Sequence, residues 1–409
     1  MESVRKKYVL VLADGMADTP VAALNGKTPM QAAHKPHMDQ LAKKGVVGMV
    51  KTIPDGMSTG SDTANMAVMG YDPRKYYTGR SPFEAYSMGL RLEDADVSFR
   101  CNLVHVSEET PYEEKIMLDH SSDEISTEEA AELIRTVQSE LGAERMRFYP
   151  GVSYRHILLW KDAPWDFEFT PPHDILGRRV GDYMPKGAYG GKFCQMIKDS
   201  YRFLEAQPVN RRRKERGLLT ANSIWIWGEG KRPAIQSFKE KYGLSGAVIS
   251  AVDLIKGLGL CAGMDSIDVE GVTGTYRTNY KGKLQAALDA LDSGKDFVYI
   301  HLEGPDECGH RAETANKVTA IERIDGEIVG PLMAALDKSG APFSLMVTPD
   351  HPTPLNLRTH TNSPVPFLIY DSENPTEKPL QVFDEEGAAK TGVFYPEGYL
   401  LMDGFLKHA

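Results

Sequence analysis

Asp306-Glu-Cys-Gly-His310, followed by Asp350-His351 and then His360, supplies two carboxylates and three imidazoles, and a further acid, Asp14, precedes Gly15 near the N-terminus. Carboxylate oxygen and neutral imidazole nitrogen together suit Zn²⁺ or Mn²⁺, and a set without thiolate points to catalytic rather than structural metal. Asp306 and His310 are four residues apart, a spacing that puts both side chains on one helical face. Together these groups predict a two-metal site. The stretch Ser58-Thr-Gly-Ser-Asp-Thr-Ala-Asn-Met-Ala-Val-Met-Gly70 is a glycine-containing turn running into an apolar, helix-competent segment. Ser61 falls among its first residues, where free backbone N–H groups and the helix dipole favour an anion. A serine there caps the helix or, beside metals, acts as a nucleophile toward a phosphoryl group. The metal signals favour the second role.

The elements that must position these groups are short apolar runs: Tyr8-Val-Leu-Val-Leu-Ala13, Phe297-Val-Tyr-Ile-His-Leu302 and Phe343-Ser-Leu-Met-Val-Thr348. Such runs, separated by helix-length stretches, read as parallel strands covered on both faces. Functional groups in such sheets gather beyond the carboxyl ends of the strands, the place of Asp14, Asp306 and Asp350. Between about Val97 and Gly181 the pattern changes. Val97–Val104, Ile116–Leu118, Arg147-Phe148 and Tyr154–Trp160 read as strands, and Ser126-Thr-Glu-Glu129 opens a helix as a capping box, with Gly142 closing it. The expected architecture is an α/β core with a mainly parallel sheet flanked by helices, residues 1–96 and 182–409, and an inserted α+β lid, residues 97–181.

Within the insert, Arg100 and Arg155 suit a carboxylate or phosphate, with His173 and Asp174 beside them in sequence order. Arg80 and Ser81 are further phosphate candidates near the first half-site, and Asn222 and Lys231-Arg232 are candidate cleft residues. The run Arg211-Arg-Arg-Lys-Glu-Arg216 reads as a solvated loop, and the formal net charge of −10 argues against nucleic acid as a partner. Composition, 41% hydrophobic and 25% charged, is that of a soluble globular protein with no membrane span. Cys101, Cys194, Cys261 and Cys308 form no C-x-x-C pair, and the chain runs from Met1-Glu-Ser-Val-Arg-Lys-Lys directly into its first strand, so a reducing cytoplasm without a signal peptide is expected. Cys308 reads as a packed small residue rather than a ligand.

Asp14-Gly15, Gly60-Ser61-Asp62-Thr63-Ala64-Asn65, Gly70-Tyr-Asp-Pro73, Gly79-Arg80-Ser81-Pro82, Asp306…His310 and Asp350-His351…His360 resemble the archaeal-type cofactor-independent phosphoglycerate mutases of the alkaline phosphatase superfamily, over nearly the whole chain. The resemblance implies that Asp306, His310 and His360 bind one divalent metal and Asp14, Ser61, Asp350 and His351 the other, with Mn²⁺, Zn²⁺ or Mg²⁺ as the ion. It implies that Ser61 takes the phosphoryl group of 3-phosphoglycerate and returns it to the other hydroxyl of glycerate, while Arg80, Arg100, Arg155 and His173 hold substrate and Asp174 moves protons. A homoserine kinase-like phosphotransferase and a metal-dependent phosphatase use the same serine and metals and stay open as alternatives. A sulfatase requires Pro and Arg after the nucleophile, which Ser61-Asp-Thr-Ala-Asn65 lacks. A metal-binding sensor without turnover usually lacks a ligand or the nucleophile, whereas all seven expected positions are filled here. Oligomeric state is not legible in the residues.

Overall fold

Strands Lys7–Ala13, Phe297–Leu302 and Phe343–Thr348 form where β-branched and aromatic residues recur without a helical stripe. All side chains of the second and third are buried, as expected of strands covered on both faces. The computed structural model describes residues 5–378 and 381–407. The chain divides into two compact units, Met1–Tyr77 with Ala234–Ala409, and Thr78–Pro233.

In the first unit eight strands form one sheet. Lys7–Ala13 lies between Phe297–Leu302 and Phe343–Thr348, parallel to both, with Ala13 opposite Leu302 and Leu12 opposite Thr348. Gly246–Ile249 and Asp265–Ile267 extend the parallel order on one side. On the other side Val365–Asp371 runs antiparallel to Phe343–Thr348 and to Val46–Val50. The sheet is therefore mainly parallel, as read from the sequence. Val9, Val11, Val298, Ile300, Leu345 and Val347 are fully buried among helix residues such as Ile321, Ile328 and Leu332; each such side chain contributes about 1.5–3 kcal/mol. The matched strand ends bring Asp14, Asp306 and Asp350 to one edge of this core.

In the second unit Val97–Val106 is central, antiparallel to Arg155–Trp160 on one side and to Ser223–Lys231 on the other. Met146–Tyr149 pairs with Arg155–Trp160, and Met117–Asp119 with the far end of the central strand. Helices Thr127–Leu141 and Gly190–Leu204 cover one face through Ile134, Val137, Phe193 and Ile197, packed against Phe99 and Leu158. Helix Ser81–Ser87 covers part of the other through Ala85, packed against Ile157 and Leu159.

Three expectations need correction here. The unit runs from Thr78 to Pro233, wider than residues 97–181, because Ser223–Lys231 pairs with Val97–Val106 and helix Ser81–Ser87 packs on the same sheet. Ser126 caps helix Thr127–Leu141 by accepting from Glu129 N–H, but the Glu129 carboxylate does not complete a capping box; it accepts from Arg213 and Arg216. The basic run is not a solvated loop but part of helix Pro208–Glu215, in which Arg213 is buried, donating to Glu129 and to the carbonyls of Ser122 and Leu219. Among the described residues no helix is long and apolar enough to cross a membrane.

Candidate functional site

Asp306 and His310 lie on the short helix Gly304–His310, which follows strand Phe297–Leu302. Their i,i+4 spacing sets His310 Nε2 3.3 Å from Asp306 Oδ2, and His360 Nε2 stands 3.3 Å from Asp306 Oδ1. His310 Nδ1 is 3.0 Å from the carbonyl of Arg358 and His360 Nδ1 is 3.1 Å from that of Thr59. A carbonyl only accepts, so each ring carries its hydrogen on Nδ1. The two Nε2 atoms face each other across 2.9 Å and each faces Asp306, so in the protein alone a second ring proton sits where a cation would otherwise stand.

A second convergence surrounds His351 Nε2. Ser61 Oγ lies 3.0 Å away, Asp350 Oδ2 3.3 Å and Asp14 Oδ1 3.6 Å. Asp306, His310 and His360 on one side, and Asp14, Asp306 and His351 on the other, each bring one donor atom per residue within 4.8 Å of one another. Asp306 thus belongs to both groups. Asp14 Oδ1 is buried without a hydrogen-bond partner, a costly state for a carboxylate oxygen unless a cation meets it. The oxygen and imidazole donors, with no cysteine in either group, fit a hard or borderline divalent ion.

The titration behaviour follows from this crowding. Burial, then the charges of Asp350 and Asp306, push the Asp14 carboxyl well above its ordinary range. Burial alone would raise Asp306 too, but hydrogen bonds with His310 and His360 hold it well below. His310 is pushed up to about 9, chiefly by its hydrogen bond to Asp306. Burial lowers His351.

Ser61 is the first residue of helix Ser61–Val68, whose cap position belongs to Gly60 with no side-chain cap. Its hydroxyl is therefore not the cap; it meets His351. Asn65, one turn on, donates from Nδ2 to the Ser61 carbonyl at 2.8 Å and to Asp350 Oδ2 at 2.7 Å, fixing the serine backbone against the acid. Gly15 has φ +62°, and a Cβ there would come within 2.6 Å of Asp306 Cα. Only glycine allows that approach.

In the second unit a different cluster is assembled. Glu84 accepts from Arg80 Nε and from Arg100 Nε, each at 2.9 Å. The Arg100 guanidinium lies 4.1 Å from the Trp227 ring centroid, and Trp227 Nε1 donates to Asn102 Oδ1 at 2.9 Å. His173 packs edge-on to Trp227, and its Nε2 is 3.7 Å from Asp174 Oδ1. Arg155, exposed and lying against Tyr154, acts electrostatically on both Glu84 and Arg100. Burial would raise Glu84, but Arg100 and Arg80 hold its carboxyl below the usual range. Burial lowers Arg100 to about 10.

A family model described as 2,3-bisphosphoglycerate-independent phosphoglycerate mutase matches residues 42–210. A Geobacter sulfurreducens protein named probable 2,3-bisphosphoglycerate-independent phosphoglycerate mutase is 48% identical, over 98% of this chain and 99% of its own. A Methanosarcina barkeri protein named 2,3-bisphosphoglycerate-independent phosphoglycerate mutase is 49% identical, over 94% of this chain and 95% of its own. The chain belongs to that family. The solved structure of a cofactor-independent phosphoglycerate mutase from Thermoplasma acidophilum matches with a TM-score of 0.66 at 27% identity, covering 99% of this chain and 100% of that one.

Within this member of the family, all seven expected metal-site residues meet in the first unit, while Arg80, Arg100, Arg155, His173 and Asp174 belong to the second. Ser81 is buried and donates to the Ser98 carbonyl at 2.9 Å, anchoring its helix rather than facing a ligand. Asn222 binds both N–H and C=O of Val106, locking two strands together. Lys231 lies against Trp165, and Arg232 pairs with Asp94 at 3.5 Å. Cys308 is packed and buried, as expected.

The sequence reading passed over His301, whose Nε2 is 2.9 Å from Asp14 Oδ2 and whose Nδ1 is 3.2 Å from Ser250 Oγ. It also passed over Tyr299, which donates to Asn65 Oδ1 at 2.5 Å, and over Glu84 and Trp227. Polar residues at alternate places in the buried run Phe297-Val-Tyr-Ile-His-Leu302 were the available signal for the first two.

Proposed function

We propose that this protein interconverts 3-phosphoglycerate and 2-phosphoglycerate through a phosphoserine on Ser61. Family membership supports the substrate, and one contact carries the residue assignment: Ser61 Oγ, at the first residue of a helix, stands 3.0 Å from His351 Nε2, a nitrogen that also faces Asp350 and Asp14. Asp306, His310 and His360 would hold one divalent ion, and Asp14, Ser61, Asp350 and His351 a second. Two such ions supply charge stabilisation to the attacking and leaving oxygens of an in-line displacement.

Ser61 Oγ gives up its proton and attacks phosphorus as the bond from phosphorus to the 3-oxygen breaks, and the departing alkoxide takes a proton. Transfer back to the 2-oxygen reverses these events, with that hydroxyl giving up its proton and Ser61 regaining one. The free backbone N–H groups at the start of helix Ser61–Val68 favour the phosphoryl oxygens. Arg100, Arg155 and Arg80 offer forked donors for the carboxylate or phosphate of the substrate, His173 completes that face, and Asp174 moves protons between the hydroxyls. The second unit takes the role of a substrate-binding lid, in a cytoplasmic glycolytic setting.

Ser61→Ala is expected to abolish interconversion in a coupled assay with 3-phosphoglycerate and Mn²⁺ while leaving the structure intact. Full activity in that variant rules Ser61 out as the nucleophile. Release of inorganic phosphate instead of 2-phosphoglycerate by the wild type identifies a phosphatase.

A further inference from the structure

Three imidazoles surround the candidate cation positions, and each needs its Nε2 lone pair turned inward. For His310 and His360 a backbone carbonyl at Nδ1 enforces this. Among the described residues no carbonyl plays that part for His351. Its Nδ1 stands 3.3 Å from Thr353 Oγ1, a group that can donate or accept. The choice is settled by the other neighbour of that hydroxyl: Thr353 Oγ1 is 2.5 Å from Asp306 Oδ1. A threonine hydroxyl has one hydrogen, and the carboxylate can only accept it. The oxygen is left to face His351 as an acceptor, so the imidazole hydrogen sits on Nδ1 and the lone pair on Nε2 points toward Ser61, Asp14 and Asp350.

The hydroxyl is itself held firmly. Thr353 is fully buried, its carbonyl accepts from Lys317 Nζ at 2.8 Å, and its N–H donates to the Ala17 carbonyl at 3.3 Å. Lys317, also fully buried, is anchored in turn by Asp18 Oδ2 at 2.7 Å. Gly15 leaves the space that the hydroxyl fills, since a Cβ at residue 15 would lie 2.6 Å from Thr353 Oγ1.

We propose that Thr353 is a positioning residue that fixes the His351 tautomer and couples the two cation positions, because one hydroxyl touches Asp306 of the first and His351 of the second. The inference rests on the two-cation reading above. Outer hydrogen bonds of this kind orient metal ligands, and their loss costs roughly 10–100-fold in affinity.

The test is calorimetric titration of the metal-stripped full chain with Mn²⁺, comparing wild type with Thr353→Val, which keeps shape and loses the hydroxyl, and Thr353→Ser, which keeps the hydroxyl. Thr353→Val is expected to bind Mn²⁺ roughly 10–100-fold more weakly, with the steps for the two ions no longer linked, and Thr353→Ser to recover most of the loss. Equal Mn²⁺ affinity in Thr353→Val and wild type, or no recovery in Thr353→Ser, overturns the assignment. Wild type that takes up no divalent ion overturns the two-cation reading and this inference with it. Selective ¹⁵N-histidine labelling of the Zn²⁺-loaded wild type reads the tautomer without any substitution: a protonated Nδ1 on His351 is expected, and a protonated Nε2 refutes the proposal.

Discussion

Around Asp14 three carboxylates crowd a buried space and one oxygen has no hydrogen-bond partner, whereas around Glu84 one buried carboxylate is held by two guanidinium groups at 2.9 Å. Like charges at short range oppose ionisation, and opposite charges favour it. Asp14 is raised by burial and then by its neighbouring carboxylates, whereas Glu84, despite burial, is lowered by its arginines. The first cluster gathers carboxylate and imidazole atoms close enough to hold a positive ion. The second is balanced internally, with Arg100 held by Glu84 and Trp227. Preorganisation of that kind lowers the cost of binding.

Removing the Asp14 charge gives the largest expected effect. Asp14→Asn should lower kcat/KM by roughly 10³-fold, and it should remove most of the Mn²⁺-dependent stabilisation, which for a ligand at 100 times its Kd is about 2.7 kcal/mol. Without metal the variant should be no less stable than wild type in urea denaturation, since a crowded buried charge has been taken away. A marked loss of metal-free stability would break the contrast between the clusters.

Glu84→Gln should act in the opposite sense. It leaves buried Arg100 without its counter-charge, and breaking a buried pair costs about 3–5 kcal/mol, with or without Mn²⁺. Urea denaturation of both forms checks this, and an unchanged midpoint would show that Trp227 alone supports Arg100.

The smallest effect is in acid. Because the folded-state value of Glu84 lies below its ordinary 4.5, the pair's contribution is complete above about pH 4.5 and is lost as pH falls through the folded value. The stability gap between wild type and Glu84→Gln should therefore be constant from pH 7 to 5 and narrow below that. A gap that persists at pH 3 would assign the effect to packing instead of charge.

The sheet of the first unit and the convergence of acids and imidazoles at its edge were legible because both depend on local pattern. Three apolar runs ending in acids, an Asp-x-x-x-His helix and a glycine turn before Ser61 each express a backbone requirement that neighbouring residues alone satisfy. The partition of the second unit was not, since Ser223–Lys231 is more than a hundred residues from Val97–Val106 in the chain and strand pairing between them leaves no mark on either segment. The fate of individual polar groups was equally hidden. Ser81 reads like a phosphate contact and is a buried anchor; Arg213 reads like a solvated cation and lies under Glu129.

The amino-acid order by itself thus determined the family, the donor atoms available to a cation and the strands that carry them, because residue type and short-range periodicity are written in it directly. Tertiary structure decided which hydrogen each imidazole carries, that Asp306 serves both groups of donors, and that Glu84 and Trp227 hold Arg100. Those outcomes depend on ångström-scale distances between residues remote in the chain, and only the folded packing fixes such distances.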